Sequence, residues 1–129
     1  SDLSQLIKLL GQLTTVGNPN HNNIKPSIYD NIYVATIIHN KKEIIIGCVT
    51  ILIEDKIIHN GGKVGHIEDV VVSNDYRGKG IGKIIINHCV ALAKESGCYK
   101  VILDCNEENT KFYEKCGFKT HGVCMRIDI

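Results

Sequence analysis

The stretch Arg77-Gly78-Lys79-Gly80-Ile81-Gly82, followed by Lys83, sets three glycines among three cations. It lies between an apolar strand-like segment, Val70-Val71-Val72, and a helix-like segment, Ile81 to Glu95. A strand, a glycine turn and a helix start together make an anion cradle. Glycine lets the backbone approach a phosphate without a Cβ in the way. The first helical turn aims unpaired N–H groups at the anion, with the positive end of the helix dipole behind them. The ligand such a cradle suits carries a pyrophosphate. The spacing is not G-x-x-x-x-G-K-[ST], which excludes the nucleotide P-loop. Gly78, Gly80 and Gly82 form G-x-G-x-G, one residue short of the dinucleotide fingerprint, and no strand–helix–strand repeat follows to build a doubly wound domain. The same string also serves as an ordinary helix-capping turn, a reading that only context removes.

Other residues fit for chemistry lie on either side. Glu68-Asp69 is an acid pair embedded in a strand, Asp104 ends another strand, and Asn109 and Tyr113 stand one turn apart on a helix. These are costly choices for structure alone. The elements that must position them follow from periodicity. Leu3, Leu6, Ile7, Leu10 and Leu13 predict a helix stopped at Gly17. Asn18 to Asp30 reads as a polar loop holding both prolines, Asn31 to His39 and Glu43 to Ile53 as strands around the turn Asn40-Lys41-Lys42, and Asn60-Gly61-Gly62 as another turn. Val64 to Ser73 reads as a third strand. Ile81 to Glu95 is a helix turning Ile81, Ile84, Ile85, Cys89, Leu92 and Ala93 to the core, with Gly97 past its end. Cys98 to Asp104 is a strand. Asn106 caps a helix that carries Glu107 and Glu108 in its first turn and runs to Cys116, and Phe118 to Ile127 supplies the last strand or two. Short turns make the early strands antiparallel, and the later strand–helix–strand unit requires a parallel pair. The expected architecture is α/β: one domain, residues 1–129, with a mixed, mostly antiparallel central sheet and helices on both faces.

Composition narrows the function. A chain of 129 residues makes one domain. A net charge of +1, from 15 basic and 14 acidic residues, argues against a nucleic-acid or membrane-surface partner. No apolar run of about 18 residues is present, so no membrane span is expected, and Ser1-Asp2-Leu3-Ser4 does not open a signal peptide. The six cysteines, Cys48, Cys89, Cys98, Cys105, Cys116 and Cys124, sit in apolar patterns without C-x-x-C, which suits small buried hydrophobes in a reducing, cytoplasmic setting. The six histidines show no zinc-ligand spacing, so no metal is expected.

Arg77 through Gly80 to Gly82 matches [RQ]-x-x-G-x-[GA], and so resembles the coenzyme A pyrophosphate loop of the GNAT superfamily of N-acetyltransferases. Two further segments sharpen the resemblance: Gly65-His66-Ile67-Glu68-Asp69-Val70-Val71-Val72, and Ile102-Leu103-Asp104-Cys105 leading to Asn109-Thr110-Lys111-Phe112-Tyr113-Glu114-Lys115-Cys116-Gly117-Phe118. With the glycine loop they resemble the glucosamine-6-phosphate N-acetyltransferase family within that superfamily, over roughly residues 43 to 127. Leu13 to Gly17 is also similar to the end of the family's first helix.

That resemblance implies acetyl transfer from acetyl-CoA to glucosamine 6-phosphate in the synthesis of UDP-N-acetylglucosamine. It implies catalytic roles for Tyr113, whose hydroxyl would face the departing sulfur, and for Asp104 and Glu68. It implies cofactor contacts from the backbone of Val70 and Val72, from Arg77, Gly78, Lys79, Gly80, Ile81, Gly82 and Lys83, and from Asn109, Tyr113 and Lys115. It places the sugar phosphate against Thr14, Lys56, His59, Glu68, Asp69, Asp104 and Arg126. A regular strand would send Glu68 and Asp69 to opposite faces, so a bulge is expected to aim both at the substrate. The resemblance further implies an intertwined homodimer through the C-terminal strand, and a leading strand that this sequence, opening on a helix, lacks. Where the family tends to close with a basic residue that reaches the phosphate, this chain has Asp128, and Arg126 is the substitute on the same strand face. The Asn18 to Asp30 segment is shorter than the family's second-helix region, which leaves a more open sugar pocket. Two other functions share the cofactor half: acetylation of a different small amine or a peptide N-terminus, and acetyl-CoA binding without turnover.

Overall fold

A computed structural model describes residues 24–129. The expected helix from Leu3 to Leu13, its stop at Gly17 and the candidate Thr14 lie outside those residues. The described chain builds a sheet of five strands in the order β1 (Ile24–Pro26), β2 (Ile32–His39), β3 (Lys42–Asp55), β4 (Lys63–Val72) and β5 (Cys98–Ile102). The first four pair antiparallel. β4 and β5 run parallel; α1 (Ile81–Glu95) lies between them in sequence, and α2 (Thr110–Lys115) follows β5. The mixed sheet inferred from element order is therefore what forms.

Local chemistry accounts for the connections. Asn40 and Lys41 both have positive φ, 50° and 64°, so a two-residue turn of type I′ joins β2 to β3 and matches the strands' twist. Between β3 and β4, His59, Asn60 and Gly61 are all left-handed, and the Lys56 amide donates to the Gly62 carbonyl at 2.7 Å. The core forms where α1 lies on the sheet. Ile81, Ile85, Ile86, Cys89 and Ala93 are buried against Ile46, Val49, Ile51 and Ile67. Ile84 and Leu92, expected in this stripe, are only half-buried, and Ile86 takes the fully buried place. A smaller cluster, Val34 and Cys48 with Ile45 and Val71, forms from residues that alternate to the other side of the sheet.

Several expectations need correction. The polar segment Asn18 to Asp30 contains β1, whose Ile24 is buried and pairs with Ala35; one apolar residue was too little signal. β5 stops at Ile102, not Asp104. Asn106 makes no side-chain capping bond; it precedes a 3-10 turn, Glu107–Asn109, before α2 begins. No strand forms over 118–127, where Val123, Met125 and Ile127 alternate yet are almost fully exposed. A strand needs a ladder partner, and none of the described strands provides one. The cysteines also divide. Cys48 and Cys89 are buried, and burial pushes their thiols up to about 11 and about 12, but Cys105 and Cys124 are exposed.

Gly47 shows how tightly α1 seats on the sheet. A Cβ there would stand 2.8 Å from Ile85 Cδ1 and 3.1 Å from the Val71 carbonyl oxygen. Gly47→Ala should therefore destabilise the fold by about 1–3 kcal/mol through overpacking, read as a lower midpoint in urea unfolding at unchanged slope.

Candidate active site

The parallel ladder between β4 and β5 ends at the pair His66 and Ile102. Beyond it the two strands part and leave a cleft of about 250 Å³. Its walls are Ile67, Glu68, Asp69 and Val70 from β4, Leu103, Asp104, Cys105 and Asn106 after β5, and Asn109 and Tyr113 at α2. A contiguous lobe of about 280 Å³ adds His66 and Ile102.

A bulge shapes the β4 wall. Thr50 opposes Glu68 and Cys48 opposes Val71, so one residue of β3 faces two of β4. The extra residue falls at Asp69–Val70, and Asp69 has φ 52°, a left-handed conformation that Asp tolerates better than most. Glu68 and Asp69 consequently both line the cleft, as the sequence led us to expect. Asp104 is exposed at the opposite wall and accepts a hydrogen bond from Cys124 Sγ at 3.5 Å, which pushes that thiol up.

The glycine loop stands at the start of α1. Tyr76, buried, anchors it, and Lys79 Nζ lies 5.3 Å over the Tyr76 ring. The first α1 bond shown runs from the Ile84 amide to the Gly80 carbonyl at 3.1 Å, so the amides of Ile81, Gly82 and Lys83 precede any intrahelical acceptor. Arg77, Lys79 and Lys83 are exposed around them. The glycines act differently from the expectation of close approach alone. Gly78 and Gly80 have φ 78° and 80°, and an added Cβ would meet nothing within 4 Å, so conformation is what requires glycine there. At Gly82 an added Cβ would stand 3.0 Å from Phe112 Cζ, so absence of bulk lets α2 close onto the start of α1.

Tyr113, the neighbour of Phe112, is half-buried and packs edge-on against Phe112 and Phe118, with ring centroids 5.0 and 6.1 Å away. Burial, with smaller contributions from the Cys105 and Cys116 thiols, pushes its phenol above the ordinary tyrosine range. It therefore stays protonated at neutral pH and can donate. Asn109 lines the same cleft and makes no side-chain capping bond.

The other candidates stand apart. Lys56 and His59 occupy the hairpin at the far end of β4 from the bulge. There Lys56 Nζ pairs with Glu54 at 3.0 Å and His59 stacks on Tyr99 at 4.4 Å. Arg126 is bonded to Asp128 at 2.6 Å on the exposed C-terminal segment, and Lys115 is exposed in the last turn of α2. His66, Cys105, Asn106 and Cys124 were not named as site residues from the sequence. His66 was legible only through alternation: it shares a strand face with Glu68.

Residues 12–118 match the family described as the acetyltransferase (GNAT) family. The chain is 43% identical to glucosamine 6-phosphate N-acetyltransferase of Candida albicans over 95% of its own length and 85% of that protein's. It is 40% identical to the Trypanosoma brucei brucei protein of the same name, over 100% and 90%. A Dictyostelium discoideum enzyme, glucosamine 6-phosphate N-acetyltransferase 1, is 48% identical over 76% of this chain and 62% of its own length. The crystal structure of glucosamine-6-phosphate N-acetyltransferase from Arabidopsis thaliana superposes with a TM-score of 0.72 at 35% identity, covering 98% of this chain and 90% of that one.

The position of Tyr113 has a direct spectroscopic consequence. Ultraviolet difference titration of the wild type against Tyr113→Phe should isolate one phenol that ionises above the ordinary tyrosine range. A phenol titrating at or below that range would mean the ring is more solvated than its packing indicates.

Proposed function

The chain belongs to the acetyltransferase (GNAT) family, and we propose that within it this protein transfers the acetyl group of acetyl-CoA to the amine of glucosamine 6-phosphate. The products are N-acetylglucosamine 6-phosphate and CoA, formed by direct attack in a ternary complex. The observation that carries the reading is the parted β4–β5 ladder: three carboxylates and a protonated phenol converge on a cleft beside an anion-binding loop. The Candida, Trypanosoma and Arabidopsis enzymes, which carry this activity in their names, support the substrate.

The roles follow from what each group can offer. Arg77, Lys79 and Lys83, with the first amides of α1, hold the pyrophosphate. Past His66 no described strand pairs the outer edge of β4, so the backbone groups of Val70 and Val72 are open to the pantetheine arm and the acetyl carbonyl. Asn109 adds a polar contact, and Lys115 extends the positive rim. Glu68, Asp69 and Asp104 attract the ammonium and bond the sugar hydroxyls. Tyr113, kept protonated, gives its proton to the departing thiolate.

The phosphate needs cations, and one chain's described cleft supplies carboxylates and His66. A homodimer resolves this. Val123, Met125 and Ile127 alternate at strand period along a segment without a ladder partner among the described residues, and pairing it with a second copy buries that apolar row. The second copy's Lys56, His59 or Arg126 then faces the phosphate. The acidity of the single-chain cleft favours one competing reading, an acceptor carrying a second amine in place of the phosphate.

CoA release measured with glucosamine 6-phosphate, glucosamine, spermidine and a short peptide decides between them. Selective release with glucosamine 6-phosphate is expected, and release only with spermidine would install the competitor. Tyr113→Phe should lower kcat about 100-fold while leaving CoA affinity unchanged. Lys56→Ala should raise KM roughly ten- to a hundredfold for the phosphorylated sugar, as loss of a charged hydrogen bond would, with no matching change for glucosamine.

A further inference from the structure

His66 stands where β4 and β5 part, two residues before Glu68 on the same strand face, and it lines the cleft lobe that also contains Asp104. Its Nε2 lies 2.8 Å from Glu54 Oε1 on β3, and Lys56 Nζ reaches the same oxygen at 3.0 Å. The bonds from His66 and then Lys56 hold the Glu54 carboxyl below its ordinary range. An ionised carboxylate can only accept, so Nε2 carries the hydrogen of this bond, and a singly protonated ring then has its lone pair on Nδ1. An exposed side-chain contact of this kind contributes little to stability. Its consequence is to fix the tautomer and orientation of an imidazole beside the amine-binding carboxylates.

We infer that His66, oriented by Glu54, accepts through water the proton that the substrate's ammonium must lose before it attacks. The inference rests on the proposed function in taking an amine as the acceptor, a thioester as the donor and Tyr113 as the acid. One C–N bond forms, the thioester C–S bond breaks, and the nitrogen gives up two protons. One restores the phenol of Tyr113 after that group has protonated the thiolate, and the other leaves through His66 to solvent. Imidazole is the side chain whose ordinary proton affinity matches neutral operation. The charged groups around it are Glu54, bonded to it, Lys56 on the same carboxylate oxygen, Glu68 on β4, and Lys100 and Asp104 on the β5 side. His66 is thus the proton acceptor, and Glu54 is a positioning residue acting through it.

The test uses whichever amine the wild type acetylates, so a change of substrate overturns the substrate reading and leaves this one standing. His66→Gln should lower kcat/KM about 100-fold and abolish the acidic limb of its pH profile. His66→Ala, still binding CoA, should regain part of its rate with added imidazole. Glu54→Ala should lower kcat severalfold with KM unchanged, and Glu54→Gln, which keeps an acceptor for Nε2–H, should restore it. Wild-type rates in His66→Gln, or a loss that leaves the acidic limb in place and is not rescued by imidazole, would overturn the assignment.

Discussion

One extra residue in β4 governs the rest of the molecule. At Asp69–Val70 two residues face one of β3, and holding Asp69 left-handed costs roughly 1–2 kcal/mol. The ladder to β5 has already ended at His66 and Ile102, so the strain falls where the sheet opens. A regular strand would have turned one carboxylate into the core face. The bulge instead sends both Glu68 and Asp69 to the opening, where β5 has already left the edge of β4. Strain and acid placement are one event in the chain, set where the edge is already open.

The opening would be inert without its neighbours. α1 supplies unpaired amides at one end, and its buried stripe fixes their position through packing on β3 and β4. Aromatic contacts around Phe112, Tyr113 and Phe118 hold the phenol in a half-buried environment that keeps it protonated. The helix amides and the phenol are therefore positioned by apolar contacts that are not themselves reactive.

How legible this was in the sequence depended on the range of the signal. α1 was readable to its ends because its apolar stripe repeats over four turns and Gly80 and Gly97 punctuate it. The bulge was suggested by an acid pair set in valines, since only an irregular strand reconciles them with one site. β1 escaped notice because three residues carry no period. The C-terminal alternation of Val123, Met125 and Ile127 gave a strand pattern without a partner among the described residues, and a pattern alone does not supply a ladder. The Glu54–His66 bond was invisible for a related reason: twelve residues separate the pair, and only the register of β3 on β4 brings them together.

The contact at Gly82 joins two elements that are otherwise distant in sequence. Phe112 occupies the space a side chain at position 82 would need, so the glycine loop and the helix bearing Tyr113 interlock as a ball in a socket. The two cannot drift independently. A loop grafted from another acetyltransferase would function here only if it kept the socket or brought its own residue for position 112, which makes these two positions a single inheritable unit.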